Sequence, residues 1–482
     1  MAWQDAPRHF ASVPSLSGAR RCGRSWSDAS RERANTCALS RSAWHSTCSG
    51  CIGVTTHSIR HDHKQQSTRA LRHELKRRLL RARAITDRLF ARIRPSAFYE
   101  RPVAERHRLI FYLGHLETFD WNLLCHRLAG LPSHSREFER LFAFGIDPAL
   151  GDEPNESRDS WPTLHVVRLW NALLRQQVNR VIDELPFVGW LDRGWALQAC
   201  IEHRLMHAET LCYLLHRLPF SAKKLGLAPT RIATPEPSND WIVIPSGEAT
   251  LGAPKAAGRF VWDNECDEHR HWVPKFRMQR YPVTNGAFLN FVEAGGYQER
   301  SFWGPADWAW RERAGIEHPS FWERSTTGWQ WRAMFTRVPL PLAWPVYVSH
   351  AEANAYACFL QKRLPSEAEW HRAAFGISNP SQVHACDPGP VDAYPESQSA
   401  YGAHGLVGNG WNWTSSVFAP FPNFAPQAFY PGYSANFFDG RHFVLKGGSP
   451  CTDGSLMRRS FRNWFQPHYP YVYATFRCAE GT

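Results

Sequence analysis

Apolar residues follow two different rhythms along this chain. From Thr68, Leu71, Leu75, Leu79, Ala82, Leu89 and Ile93 recur at helical spacing in a very basic stretch, which predicts an amphipathic helix. Three more helices are predicted near 105–129, 163–185 and 194–217. Pro162 marks the start of the 163–185 helix, where a missing N–H costs nothing, and Val166, Val167, Trp170, Leu173, Leu174 and Ile182 form its expected buried face. Four such helices, with a long irregular connection at about 131–161, predict a bundle. Residues 221–239 carry Pro229, Pro235 and Pro237 and read as a linker. Beyond it come short strands, Gly/Pro turns and aromatics, with helices expected only near 284–294, 349–363 and 366–375. No period of a repeat protein is present. The expected organisation is an α+β, multidomain one: a four-helix bundle over 67–220, the linker over 221–239 and an irregular domain over 240–482.

Length agrees, because 482 residues are too many for one ordinary core. The 22 tryptophans concentrate after residue 240, which separates the two halves by architecture as well as by pattern. The net charge of +12 changes meaning once it is located: residues 1–100 hold 19 Lys+Arg against 7 Asp+Glu, leaving 37 of each sign in the rest. The part expected to fold is neutral and lacks a nucleic-acid footprint. Residues 1–66 are rich in Ser, Arg, Cys and His without sustained apolar periodicity, and are expected to be disordered or an over-extended start of the reading frame. Cys48-x-x-Cys51 in that stretch has no second close pair to complete a zinc site. No apolar run is long enough to cross a bilayer, and the thinly scattered cysteines suit free thiols in a reducing cytoplasm.

The sharpest local signal is Glu202-His203-Arg204-Leu205-Met206-His207-Ala208-Glu209. Histidines at i and i+4 share one helix face, as two imidazoles on one metal must. Such a pair alone is weak evidence, and Arg204 stands where zinc proteases carry their Glu base. A third histidine on another helix strengthens it: His115 lies in Leu113-Gly114-His115-Leu116-Glu117-Thr118-Phe119, an apolar setting in which Gly114 lets a neighbouring element approach. Bundles build metal sites inward from facing helices, and three neutral imidazoles leave coordination positions for other ligands. Glu209 points away from the two-histidine face and is expected to be structural.

These residues, with Leu141-Phe142-Ala143-Phe144-Gly145-Ile146-Asp147 and Trp161-Pro162, resemble the DinB-like four-helix bundle that opens the ergothioneine and ovothiol sulfoxide synthases. An ordered series in the second half resembles the C-type-lectin-like formylglycine-generating-enzyme (sulfatase-modifying factor) fold. It comprises Trp241–Gly247, Tyr281-Pro282-Val283-Thr284-Asn285, Arg363–Trp370, Gly405–Thr414, Gly447-Gly448-Ser449 and Phe476-Arg477-Cys478. The resemblance implies an Fe(II) site held by His115, His203 and His207. It further implies that dioxygen is used to join a small thiol to hercynine or histidine, in an enzyme that is cytoplasmic and needs neither nucleic acid nor membrane. It places a proton-donating tyrosine at Tyr430, with Tyr433 as neighbour, and an Asn463-Trp464 pair that holds the amino-acid end of the substrate. The copper chemistry of the formylglycine-generating enzymes themselves is not implied, because Cys451 has Leu456 where their second cysteine stands.

Several positions depart from the family pattern. Phe465 and Tyr469 stand where the branch using γ-glutamylcysteine carries an acid and an arginine, which favours free cysteine or another small thiol. Met206 replaces a Gln that contacts the imidazole through water, so Met206 and Phe465 belong to the expected substrate wall. Asn412 replaces the usual Glu of its turn. Rival readings are C–Se bond formation or thiol dioxygenation at the same metal, and a non-catalytic ligand-binding protein of the same fold.

Overall fold

The structure is a computed structural model that describes residues 52–143, 157–184, 193–230, 232–254, 259–377 and 387–481, with side chains from residue 68 onward. Helix α1 spans Ile52–Ala91, so it starts upstream of the Thr68 boundary read from the apolar stripe. No Gly or Pro occurs between Val54 and Arg94, and backbone helix needs only the absence of breakers, whereas the stripe records where packing begins. Residues 1–51, with the Cys48-x-x-Cys51 pair, lie outside the described residues.

Helix α2 (Leu109–Asp120) continues through a wider turn over Trp121–Leu128. A short α3 (Arg136–Leu141) sits in the connection, capped by Ser135 Oγ on the Phe138 N–H. Helices α4 (Leu164–Glu184) and α5 (Trp195–Arg217) complete the bundle. Two members of the expected α4 face are misplaced: Val166 and Leu173 are 38% and 37% exposed, while Asn171, Val178 and Val181 turn inward with Val167, Trp170, Leu174 and Ile182. The apolar stripe on α4 is wider than the surface available to cover it, so its edge stays in solvent. Nearly every residue of α5 is buried, polar ones included, which marks it as the central helix.

The C-terminal module begins with β1 (Trp241–Ile244), β2 (Gly247–Leu251), β3 (His269–Val273) and β4 (Phe276–Gln279). Helices α6 (Asn285–Glu293) and α7 (Pro305–Ala314) follow, then β5 (Trp322–Ser325), β6 (Gly328–Arg332) and β7 (Arg337–Pro339). Helices α8 (His350–Phe359) and α9 (Glu367–Ala373) each open on a serine capping box. The pattern had signalled all of these helices except α7, whose apolar residues are too few to make a stripe. The last strands are β8 (Trp411–Val417), β9 (Phe443–Lys446), β10 (Asn463–Phe465), β11 (Ala474–Thr475) and β12 (Ala479–Glu480). They form small sheets ordered β1-β4-β12 and β10-β9-β8-β11, beside a β2-β3 ribbon and a β5-β6-β7 meander. All pairs are antiparallel except β11 with β8. The fold is therefore α+β, a helical region followed by a strand-rich module, and Leu71–Thr482 pack as one unit.

One glycine fixes how the second module meets the first. Gly447 follows β9 at φ +101°, and a Cβ there would run into the Leu406 carbonyl. Only glycine adopts such a turn without strain, and the turn delivers Ser449 and Thr452 to α5.

Candidate metal centre

Helices α2 and α5 face each other across the bundle axis and bring three histidines together. His115 Nε2 lies 3.3 Å from His203 Nε2, and one ring nitrogen from each of His115, His203 and His207 lies within 4.8 Å of the others. Ligands held at about 2.1 Å from one ion at tetrahedral to right angles stand about 3.0–3.4 Å apart; the His115–His203 pair already has that spacing, and His207 lies close enough to complete a three-nitrogen set. Burial pushes the His115 imidazolium down to about 4 and those of His203 and His207 well below their ordinary value. Three neutral rings with lone pairs are what a metal requires.

His115 is oriented from outside. Its Nδ1 lies 2.8 Å from the Phe142 carbonyl oxygen, an acceptor, so Nδ1 carries the proton and Nε2 the lone pair. Phe142 reaches that position because its ring lies over Gly114, where a Cβ would sit 2.7 Å from Phe142 Cγ. The His115 ring stacks on Phe111 at 4.9 Å, and the His203 ring on Phe119 at 3.6 Å.

Behind the histidines lies a buried ionic network. Arg204 donates to Glu117 at 2.9 Å, to Asp120 at 2.8 Å and to the Leu116 carbonyl at 2.9 Å, while Arg175 of α4 reaches Glu117 at 2.7 Å. Although burial works against ionisation, Arg204, Arg83 and Arg175 hold the Glu117 carboxyl down at about 2. Arg204 thus turns away from the three rings and pins α5 to α2, which sets the separation of the ligands.

On its other side α5 is gripped by the C-terminal module. Glu202 accepts from Trp262 Nε1 at 2.8 Å and from Arg458 at 3.0 Å. Glu209 accepts from Trp411 Nε1 at 2.7 Å, Ser449 Oγ at 2.5 Å and Thr452 Oγ1 at 2.8 Å. Neither carboxylate joins the histidine group, and among the described residues that group is the only one compatible with a metal ion.

With this geometry in place, comparison with known proteins is informative. Residues 228–382 and 379–482 match the sulfatase-modifying factor enzyme 1-like domain, and residues 78–211 match the DinB superfamily. Over 347 residues, covering 65% of this chain and 77% of the relative, the sequence is 33% identical to the hercynine oxygenase of Mycolicibacterium smegmatis. The chain belongs to the ergothioneine-type sulfoxide synthase family. Further family likeness extends to the ergothioneine biosynthesis protein 1 of Neurospora crassa, 27% identical over 78% of this chain and 54% of that relative. This sulfoxide synthase family member is thus an oxidoreductase-type enzyme with a three-histidine group suited to a metal.

The remaining expected residues line the seam between the two modules. Tyr430 meets Phe119 edge-on at 5.4 Å, one ring from His203. The Tyr433 hydroxyl lies 3.5 Å from Met206 Sδ, and its ring stacks on Trp262 at 3.9 Å; burial, with Glu265, Asp263 and Glu202 nearby, keeps that hydroxyl protonated far above its usual range. Asn463 Nδ2 and Trp464 Nε1 are buried without a hydrogen-bond partner. One face of the Trp464 indole is covered by Phe418 at 4.2 Å and nearly parallel, so a cation–π contact is confined to the other face. Phe465 stacks on Tyr469 at 5.2 Å, and the Tyr469 hydroxyl accepts from Arg106 Nε at 2.8 Å. Phe465 and Tyr469 carry no charge, but Arg106, from the bundle, brings a buried guanidinium to the same wall. Asn412, expected in a turn, lies instead at the start of β8, paired with Lys446 and Thr475, and its amide N–H groups reach back to the Leu406 and Gly410 carbonyls at 3.2 and 3.1 Å. Cys478 is buried and its thiol pushed up to about 12, as expected of a packed residue.

Arg106, Phe119, Phe142 and Trp262 were not singled out for roles by sequence reasoning. Phe119, four residues beyond His115, had the only usable signal, a ring at helical spacing from a ligand.

Proposed function

We propose that this chain is an Fe(II)- and dioxygen-dependent sulfoxide synthase that forms a C–S bond between a small thiol and a histidine-derived imidazole. The observation that carries this reading is the buried group of three neutral histidines without a carboxylate, at the seam of the two modules of this family. When bound there, ferrous ion would supply redox electrons and open positions for the thiol and dioxygen. The protein's own contribution is orientation. Phe142 fixes the tautomer of His115, and Arg204, Glu202 and Glu209 fix the helix that carries His203 and His207. Holding both substrates at one centre removes much of the entropic cost of their encounter.

Tyr430 and Tyr433 are the groups able to hold a proton beside the site, Tyr430 through its place against Phe119 and Tyr433 through its contact with Met206. Asn463 Nδ2 and Trp464 Nε1 are unmatched donors suited to the substrate carboxylate. Phe465 and the Arg106–Tyr469 pair form the wall for the thiol, with the guanidinium suited to its carboxylate. The setting is cytoplasmic, in keeping with free thiols at every described cysteine, and among the described residues no helix is long and apolar enough to cross a membrane.

The test is dioxygen uptake by anaerobically iron-loaded protein. Uptake is expected only when a thiol and an imidazole amino acid are both present, with a product mass equal to the sum of both substrates plus one oxygen atom less two hydrogen atoms, because the C–H and S–H hydrogens leave with the second oxygen as water. Uptake with thiol alone and a sulfinic acid product would refute the reading in favour of thiol dioxygenation.

A further inference from the structure

Residues 418–442, which join β8 to β9 and carry Tyr430, hold no strand or helix beyond one short turn at Ala435–Phe437. Pro420, Pro422, Pro426 and Pro431 have no N–H to donate. The Tyr430 N–H reaches the Gln427 carbonyl at 2.9 Å, and the Tyr433 N–H reaches the Tyr430 carbonyl only at 3.4 Å. A segment so sparsely bonded to itself takes its position from what surrounds it. Gln427 Nε2 ties it to the Val261 carbonyl at 2.8 Å. Arg127, from the bundle, donates Nη1 to the Phe429 carbonyl at 2.9 Å and Nη2 to the Ala428 carbonyl at 3.0 Å. A planar guanidinium that spans two successive carbonyls fixes the peptide leading into Tyr430, as a single flexible donor does not.

The wide turn that continues α2 explains how Arg127 gets there. In a regular α-helix, a residue eight positions beyond Phe119 stands about 80° around the axis from it. Over Trp121–Leu128 the helix is wider, and the Ala129 N–H bonds the Leu124 carbonyl five residues back at 3.1 Å. Each residue then turns the chain less, and the offset shrinks. Phe119 and Arg127 therefore reach one segment together: Phe119 meets the Tyr430 ring edge-on at 5.4 Å, and Arg127 holds the two carbonyls before it. Such turns are rare and concentrate at functional sites.

We propose that Arg127 is a positioning residue for Tyr430. Through the Ala428 and Phe429 carbonyls it sets where the tyrosine ring stands against Phe119, whose own ring stacks on His203. This rests on the reading that Tyr430 serves the reaction.

The experiment pairs a spectrum with a double-mutant cycle on the full chain. Tyr430 is replaced by 3-fluorotyrosine, and the protein is loaded with Zn(II), which is diamagnetic. The fluorine resonance should shift or broaden in Arg127→Met and move less in Arg127→Lys, which keeps one donor. The denaturation midpoint should hardly change, because Arg127 lies at the surface. In dioxygen uptake by iron-loaded protein with cysteine and hercynine, Arg127→Met should lower kcat by about 10–100-fold, the scale of a displacement near 1 Å, with little change in KM. Added to Tyr430→Phe it should lower kcat no further, since both act through one ring. An unmoved fluorine resonance in Arg127→Met overturns the proposal, and so do kcat losses that multiply in the double variant. Native kcat in Tyr430→Phe overturns the reading that Tyr430 serves the reaction, and this proposal with it. Absence of uptake by the native protein overturns the proposed function itself, whatever the fluorine spectrum shows.

Discussion

Replacing Gly114 by alanine tests how the site is held together. The added methyl would lie 2.7 Å from Phe142 Cγ and closer still to two other ring carbons, where ordinary carbon contacts need about 3.5–4.0 Å. Phe142 is fully buried and packed against Phe138 and Trp161, so the ring has no space to swing into and the segment must retreat by about 1 Å. The bond from His115 Nδ1 to the Phe142 carbonyl, now 2.8 Å, then passes the limit of a useful hydrogen bond. Overpacking costs about 1–3 kcal/mol, and replacing a helical glycine by alanine returns about 1 kcal/mol, so global stability should fall by no more than about 2 kcal/mol. Losing the partner that orients a ligating histidine should weaken metal binding by about 10–100-fold. The signature is a large loss of Fe(II) affinity in anaerobic titration beside a small change in the denaturation midpoint of the metal-free protein. Adding Phe142→Leu, which makes room and keeps the carbonyl, should restore much of the affinity. Native affinity in Gly114→Ala, with the fold intact, would refute the reasoning.

Other outcomes follow from the same structure. Glu117→Gln leaves Arg204, Arg83 and Arg175 short of a buried counter-charge and should cost about 3–5 kcal/mol in chemical denaturation, whereas a loss below about 1 kcal/mol would show the network to be dispensable. Fe(II) should raise the melting temperature of the native protein in proportion to the logarithm of its concentration, and this rise should vanish in His203→Ala. Asp387 accepts from Trp331 Nε1 and the Met334 N–H at 3.3 Å, and burial pushes its carboxyl up to about 6. A carboxyl raised in the folded state stabilises most below its unfolded value near 4 and loses that contribution as pH rises through about 6. Asp387→Asn should therefore flatten the fall in stability between pH 4 and 6 by up to about 3 kcal/mol; identical pH profiles for the two proteins would contradict the assignment.

Much of the site was legible because its elements obey local rules. His203 and His207 stand one helical turn apart whatever surrounds them, and Gly114 beside His115 announced a close neighbour before that neighbour was known to be Phe142. The helices expected from 349 and 366 begin at the capping boxes that the structure shows at Ser349 and Ser366. What escaped reading depends on the partner surface. Val166 and Leu173 satisfy the helical period of α4, yet nothing in the period says how wide the covering surface is. Arg106 belongs to no motif, and its value comes from Tyr469, 363 positions away. Trp262 is one tryptophan among 22 until its indole N–H is seen on Glu202.

The grip on α5 from both sides bears on how this protein can be divided. Cutting between the bundle and the module that follows would take from Glu202 and Glu209 their Trp262, Arg458, Trp411, Ser449 and Thr452 donors and would turn the apolar side chains of a buried helix toward water.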